Sequence, residues 1–188
     1  MTMAVKVLAI SGSLRARSSN MEVLKAAALL APPSMSFTFY EGLGQLPHFN
    51  PDLDAIGAVL PPSVQALRAA VKSADALLIS SPEYAHGVPG SLKNALDWLV
   101  SGHEMVGKPI GLLTASRYST HGPASLAETL RTMSTRLVNG ACVVVPLDGR
   151  RLDAAGTIAD AELTDVLRVA LRALAAGVDE ATAAGRIA

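Results

Sequence analysis

Five short apolar runs punctuate the chain, at Val5–Ile10, Met35–Tyr40, Ala76–Ser80, Ile110–Thr114 and Cys142–Pro146. Each is bounded by polar residues or glycine and is too short for a buried helix, the pattern of strands covered on both faces of a parallel sheet. Between the runs lie helical stripes. Val23, Ala26, Ala27 and Leu30 share one face, as do Val64, Leu67 and Val71. Leu92, Ala95, Leu96 and Leu99 repeat the spacing; Leu126, Leu130, Met133 and Leu137 follow, and a stripe from Leu163 to Leu174 closes the series. Strands alternating with helices make a βα repeat, because parallel strands need crossovers. The predicted architecture is a three-layer α/β sandwich on a five-stranded parallel sheet. Its order, 2-1-3-4-5, is taken by analogy from doubly wound folds with right-handed crossovers. No linker, low-complexity tract or repeat interrupts the alternation, so residues 1–188 read as a single domain.

Composition narrows the function. Sixteen basic and 16 acidic residues give a net charge of zero, without the surplus a general nucleic-acid binder needs. The single cysteine, Cys142, excludes an internal disulfide framework and an all-cysteine zinc site. It falls inside the fifth strand, where a core thiol is expected rather than a redox one. His48, His86, His103 and His121 show no metal-ligand spacing. No apolar run approaches the roughly 18 residues of a membrane span, and the first ten residues lack a signal-peptide layout. A cytoplasmic protein with no membrane and no nucleic-acid partner is expected.

In doubly wound sheets ligands bind beyond the carboxyl ends of the strands. After the first strand comes Ser11-Gly-Ser-Leu-Arg-Ala-Arg-Ser-Ser-Asn20, rich in hydroxyl, amide and guanidinium donors, at the start of a helix. Helix N-terminal N–H groups favour an anion, and Arg15 adds a charged fork for phosphate. Ser18, Ser19 or Asn20 would cap the helix in any case, but capping accounts for only part of the string. Neither the G-x-G-x-x-G dinucleotide fingerprint nor the G-x-x-x-x-G-K-[ST] loop is present. A terminal monophosphate fits better than a pyrophosphate.

After the third strand runs Ser80-Ser-Pro-Glu-Tyr-Ala-His-Gly-Val-Pro-Gly-Ser-Leu-Lys-Asn-Ala-Leu-Asp-Trp98. Together, Gly12-Ser13-Leu14-Arg15 with Ser18 and Asn20, then Pro82-Glu83-Tyr84, Pro89-Gly90, Leu92-Lys93-Asn94-Ala95 and Asp97-Trp98, resemble the NAD(P)H-dependent FMN reductase family. That family includes chromate and quinone reductases and relatives among azoreductases. The resemblance is strong over the first hundred residues and weaker beyond residue 115. It implies a flavodoxin-like fold, with Ser13, Arg15, Ser18 and Asn20 on the FMN phosphate and Ser19 contributing an N–H or hydroxyl. Pro82, Glu83 and Tyr84 would line the isoalloxazine ring, and the backbone around Ala85 and Gly87 would approach it. Ala85 stands where the family usually has asparagine. Ser116 matches the turn after the fourth strand that contacts flavin in the family, whereas Arg117, Tyr118 and His121 replace smaller residues. His86 reads as an exposed loop residue, and Arg150 and Arg151 as a solvated loop, with a contact to dinucleotide phosphates as the alternative. Trp98 reads as an anchor at a subunit interface.

The resemblance further implies a ping-pong reductase. A nicotinamide, NADH or NADPH, gives hydride to bound FMN and leaves, and a quinone, azo compound, metal oxyanion or free flavin then accepts the electrons. Such chemistry belongs to the cofactor and needs no catalytic side chain. Only Tyr84 and Tyr118 fall near the expected ring, so one face is left open for the donor. A homodimer or homotetramer is implied too. The competing reading is an electron carrier without reductase activity, which would be strongly acidic and would sandwich the ring between aromatics.

Overall fold

The computed structural model describes residues 4–55 and 57–185. The first three positions, part of the ten-residue segment compared with a signal-peptide layout, lie outside it. The chain runs β1 (Val5–Ser11), α1 (Ser19–Leu30), β2 (Met35–Phe39), α2 (Pro62–Ser73), β3 (Ala76–Ser80), α3 (Gly90–Asp97) and β4 (Pro109–Thr114). It continues with α4 (His121–Thr132), β5 (Arg136–Val144), α5 (Ala154–Ala159) and α6 (Ala161–Ala183). Two single-turn 3₁₀ segments, Leu43–Gln45 and Pro51–Leu53, lie between β2 and α2.

All strand pairs are parallel, as the alternation predicts, and the order is β2-β1-β3-β4-β5, the one taken by analogy. The central strands β3 and β4 are buried along their whole length, which is why their sequences are continuous apolar runs without alternation. Side chains from β1 divide between two cores. Val7 and Ala9 join Val23, Leu24, Leu167, Leu171 and Leu174 beneath α1 and α6. Leu8 and Ile10 join Val64, Leu67, Leu92, Leu96, Leu126 and Leu130 beneath α2, α3 and α4. This period-two division of one strand between two helical layers produces the sandwich.

Three expectations are corrected. Leu137 is not on the fourth helix. That helix stops at Thr132, Ser134 turns the chain with φ +59°, and Leu137 pairs with Ile110 in β5. The fifth strand thus starts at Arg136, and a register shift between Ile110 and Leu112 separates its two halves. Cys142 is only partly buried, not the core thiol expected, and burial pushes its thiol pKa up. Trp98 is fully buried and cannot anchor an interface. Its indole Nε1–H donates to the Pro47 carbonyl at 2.8 Å, and its ring meets Phe49 edge-on at 5.1 Å. Asn94 completes the clamp, donating to the same carbonyl at 2.9 Å and accepting the Phe49 N–H at 2.7 Å. The Asn94 and Trp98 of the sequence motif hold the loop after β2 against α3. Lys93 and Asp97 form a surface ion pair.

Candidate functional site

The carboxyl ends of β1, β3, β4 and β5 open onto a cleft of about 370 Å³. Arg15, Ser19 and Asn20 line it from the first loop, Ser81, Pro82 and Glu83 from the third, and Ala115, Ser116 and Ser119 from the fourth. The segment after β5 closes it with Leu147, Gly149, Arg150 and Arg151.

The first loop is folded by its own hydroxyls. The Ser13 N–H donates to Ser11 Oγ at 3.3 Å and the Arg15 N–H to Ser13 Oγ at 3.3 Å, curling the backbone toward α1. Gly12 is required by the close approach of the third loop: a Cβ there would stand 2.6 Å from Ser81 Oγ. Asn20 does not cap the helix. Its Oδ1 accepts from Ser80 Oγ at 2.9 Å, which ties α1 to the end of β3 inside the protein. Ser18 occupies the N-cap position with extended backbone, yet its hydroxyl makes no capping bond. That Oγ is buried and has no hydrogen-bond partner among the described residues. A buried hydroxyl without a partner costs about 1–3 kcal/mol. It lies beside N–H groups of the first α1 turn that have no intrahelical acceptor.

In the third loop, Tyr84 and Gly87 exchange backbone hydrogen bonds of 3.1 and 2.9 Å around Ala85 and His86. Both central residues have positive φ, +48° and +61°. This is a type I′ hairpin turn, a geometry that suits asparagine and glycine far better than alanine. The Glu83 carboxylate turns away from the hairpin to accept the Gly122 N–H at 2.8 Å, in the first turn of α4. There the helix dipole favours an anion. His86 is exposed as expected, and its ring stacks on that of His121 at 4.3 Å. The third loop is thus latched twice to the start of α4.

Arg117 folds sideways onto Asp148 at 2.6 Å and joins the fourth loop to the segment after β5. Tyr118 is 80% exposed.

Of the residues expected at the site, Arg15, Ser19, Asn20, Pro82, Glu83 and Ser116 line the central cleft. Ser18 lines a neighbouring cleft of about 440 Å³ that shares Arg15, Ser19 and Arg151 with it. Ser13 is buried under the loop, and Tyr84, Ala85 and Gly87 stand in the hairpin outside the lining. Sequence reasoning missed Ser81, Ser119, Leu147 and Gly149, and took Arg150 and Arg151, which also wall the cleft, first as a solvated loop. The signal for that wall was present: β5 ends at the same edge of the sheet, so its following loop belongs to the site by the same rule as the others. Arg150 is no free surface residue. It pairs with Asp160 at 2.7 Å and donates to the Leu147 and Pro146 carbonyls. Its guanidinium holds the Asp160 carboxyl below the usual carboxylate range. At the opposite, amino ends of the strands lies a larger cleft of about 650 Å³. There Arg68 is consumed by Asp54, Ser101 and the Trp98 carbonyl, and Lys108 by the Ala74 carbonyl.

Comparison with known proteins agrees with the loop chemistry. The sequence model of NADPH-dependent FMN reductase matches residues 5–147. An NAD(P)H-dependent FMN reductase of Pseudomonas aeruginosa is 37% identical over 175 residues, 90% of this chain and 93% of that protein. A 2-hydroxy-1,4-benzoquinone reductase of a Burkholderia species is 33% identical over 182 residues, 94% of this chain and 97% of that protein. Among solved structures, FerB, a flavoenzyme NAD(P)H:(acceptor) oxidoreductase from Paracoccus denitrificans, superimposes with a TM-score of 0.76 at 26% identity. It covers 94% of this chain and 98% of its own. Sheet order, loop sequences and relatives matched over nearly their full lengths lead to one assignment: the chain belongs to the NADPH-dependent FMN reductase family.

Proposed function

We propose that the protein transfers electrons from NADPH or NADH to a quinone, azo compound, metal oxyanion or free flavin by a ping-pong cycle. The observation that carries this is the buried Ser18 hydroxyl without a partner, set at the opening of α1 beside exposed Arg15. A phosphate there would meet both the orphaned hydroxyl and the free helix N–H groups, so the residues present fit FMN.

Ser13, Arg15, Ser18, Ser19 and Asn20 would hold the phosphate, with Asn20 kept in place by Ser80. Pro82, Glu83 and Ser116 would hold the ring, with Tyr84 and the backbone of Ala85 and Gly87 in the hairpin at the border of the cleft. Bound FMN supplies reversible hydride chemistry. The chain supplies binding, orientation and fixed dipoles. Glu83 acts by pinning the third loop to α4, and no side chain is needed as nucleophile or general base. Donor and acceptor would use one open face in turn, which requires the first to leave before the second binds. A cytoplasmic location, where reduced nicotinamides are abundant, and a homodimer or homotetramer complete the proposal.

Steady-state initial rates with varied NADPH at several quinone concentrations test the cycle. Parallel double-reciprocal lines are expected. Intersecting lines would refute the alternating use of one face. An electron carrier without reductase activity would show no turnover with a quinone at all.

A further inference from the structure

Two histidines outside the cleft lining, neither of them in the motifs shared with the family, meet face to face. His86 of the third loop and His121, the first residue of α4, stack with ring centroids 4.3 Å apart and planes 16° from parallel. Both are exposed, so protons reach them from solvent. The hairpin that carries His86 needs this support. Its turn residues Ala85 and His86 hold φ of +48° and +61°, where asparagine and glycine are preferred, so the turn has little conformational preference of its own. It is kept in place by the Tyr84–Gly87 backbone bonds, the Glu83 bond to the Gly122 N–H, and the ring stack. Of these contacts the stack is the one that proton uptake near neutral pH can turn against itself, because histidine changes charge between about pH 5 and 8.

We propose that His86 and His121 are a proton-operated positioning pair. With at most one proton between them they hold the third loop against α4, and with two they release it and loosen the grip of Pro82 and Glu83 on FMN. The inference rests on the reading that FMN fills the central cleft. One imidazolium is tolerated, since a cation over an aromatic face is attracted to it. Two like charges at this separation repel. The surroundings limit how many protons the pair accepts. From the third loop Glu83 supplies one negative charge, already bonded to the Gly122 N–H. From α4 the helix N-terminus places a partial positive charge at His121 and opposes the second proton. On the fourth loop Arg117 is neutralised by Asp148, and farther along α4 Glu128 and Arg131 pair with each other. Tyr84 and Tyr118 are phenols, a class that is uncharged in the range where histidine titrates. A single carboxylate thus stands against two imidazoles. Neither histidine lines the cleft; both act through Pro82 and Glu83, which do.

The test compares wild type with the double variant His86→Phe, His121→Phe, which keeps two stacked rings that cannot be protonated, and with His121→Gln, which breaks the stack. In FMN-free protein near about pH 8, proton NMR should show the His86 ring resonances shifted upfield by the neighbouring ring. That shift should vanish near about pH 5.5 and be absent at both pH values in His121→Gln. FMN affinity, read by fluorescence titration, should fall over the same interval by about fivefold or more beyond the fall in the double variant, the lower end of coupling between sites. The comparison cancels the titration of the FMN phosphate itself, which both proteins share. At the higher pH His121→Gln should bind FMN about fivefold or more weakly than wild type. His103→Phe, at the opposite end of the sheet, should follow wild type throughout. An upfield shift that persists in acid, or parallel pH profiles for wild type and the double variant, would overturn the proposal. Protein that takes up no FMN at any pH would overturn the reading beneath it, a result distinct from a flavin affinity that ignores the two histidines.

Discussion

Arg15 and Ala85 are the two residues at which the site's energetics can be read most directly. Arg15 is exposed and has no acidic partner among the described residues, so its removal changes ligand binding with little effect on the fold. Arg15→Ala should weaken FMN binding by about 1.5–3 kcal/mol, the range for a hydrogen bond to a charged group. A fluorescence titration measures this directly, and unchanged affinity would show that the guanidinium points elsewhere. Ala85 sits at φ +48° in the I′ turn, where a β-carbon costs about 1–2 kcal/mol. Ala85→Asn should recover about 1 kcal/mol, because asparagine tolerates this region, and should raise the urea midpoint. An unchanged or lower midpoint would contradict the turn assignment. The string of donors in the first loop was legible because residue type alone carries its chemistry. The strain at Ala85 was not: the sequence shows a departure from the family's asparagine, and only the hairpin shows that it concerns backbone conformation. The stacking of His86 on His121 was equally hidden, since it joins residues 35 positions apart that no periodicity relates.

At the scale of elements, the runs at β1, β3 and β4 were plain because strands buried on both faces leave unbroken apolar sequence. β5 is an edge strand with an exposed centre at Asn139 and Gly140, so its first half did not look like a strand and Leu137 was absorbed into the preceding helix. The six-residue α5 carries too little periodicity to be seen, yet it braces the segment that walls the site. That segment is also tied by the Arg150–Asp160 pair, whose carboxylate caps α6 by accepting the Leu163 N–H. Because the Asp160 pKa is depressed in the folded protein, its stabilising effect is complete above the ordinary carboxylate value near 3.9 and is lost as pH falls through the depressed value. Asp160→Asn keeps a capping side chain and removes the charge. The variant should melt below wild type at pH 7, and the gap should close as the pH is lowered through the acid range. A gap of constant size from neutral to acid pH would show that the ion pair contributes nothing.

For the whole molecule, a net charge of zero conceals an uneven distribution. The carboxylates around the clefts are held by lysine, arginine or backbone partners, while Arg15, Arg17 and Arg151 are left facing the space where phosphates are expected. The same neutrality argues against an acidic docking protein for electron transfer. The low aromatic content also bears on the cycle. Trp98 is spent in the core, and Tyr84 and Tyr118 stand exposed on separate loops. Neither tyrosine lines the central cleft, in keeping with one face kept open for exchange of donor and acceptor. The most direct test of the central claim is an anaerobic absorbance titration of the purified protein after incubation with FMN. The account predicts a yellow protein that bleaches on addition of NADPH and regains its colour when a quinone is added. A colourless protein that leaves the fluorescence of added FMN unchanged would contradict it.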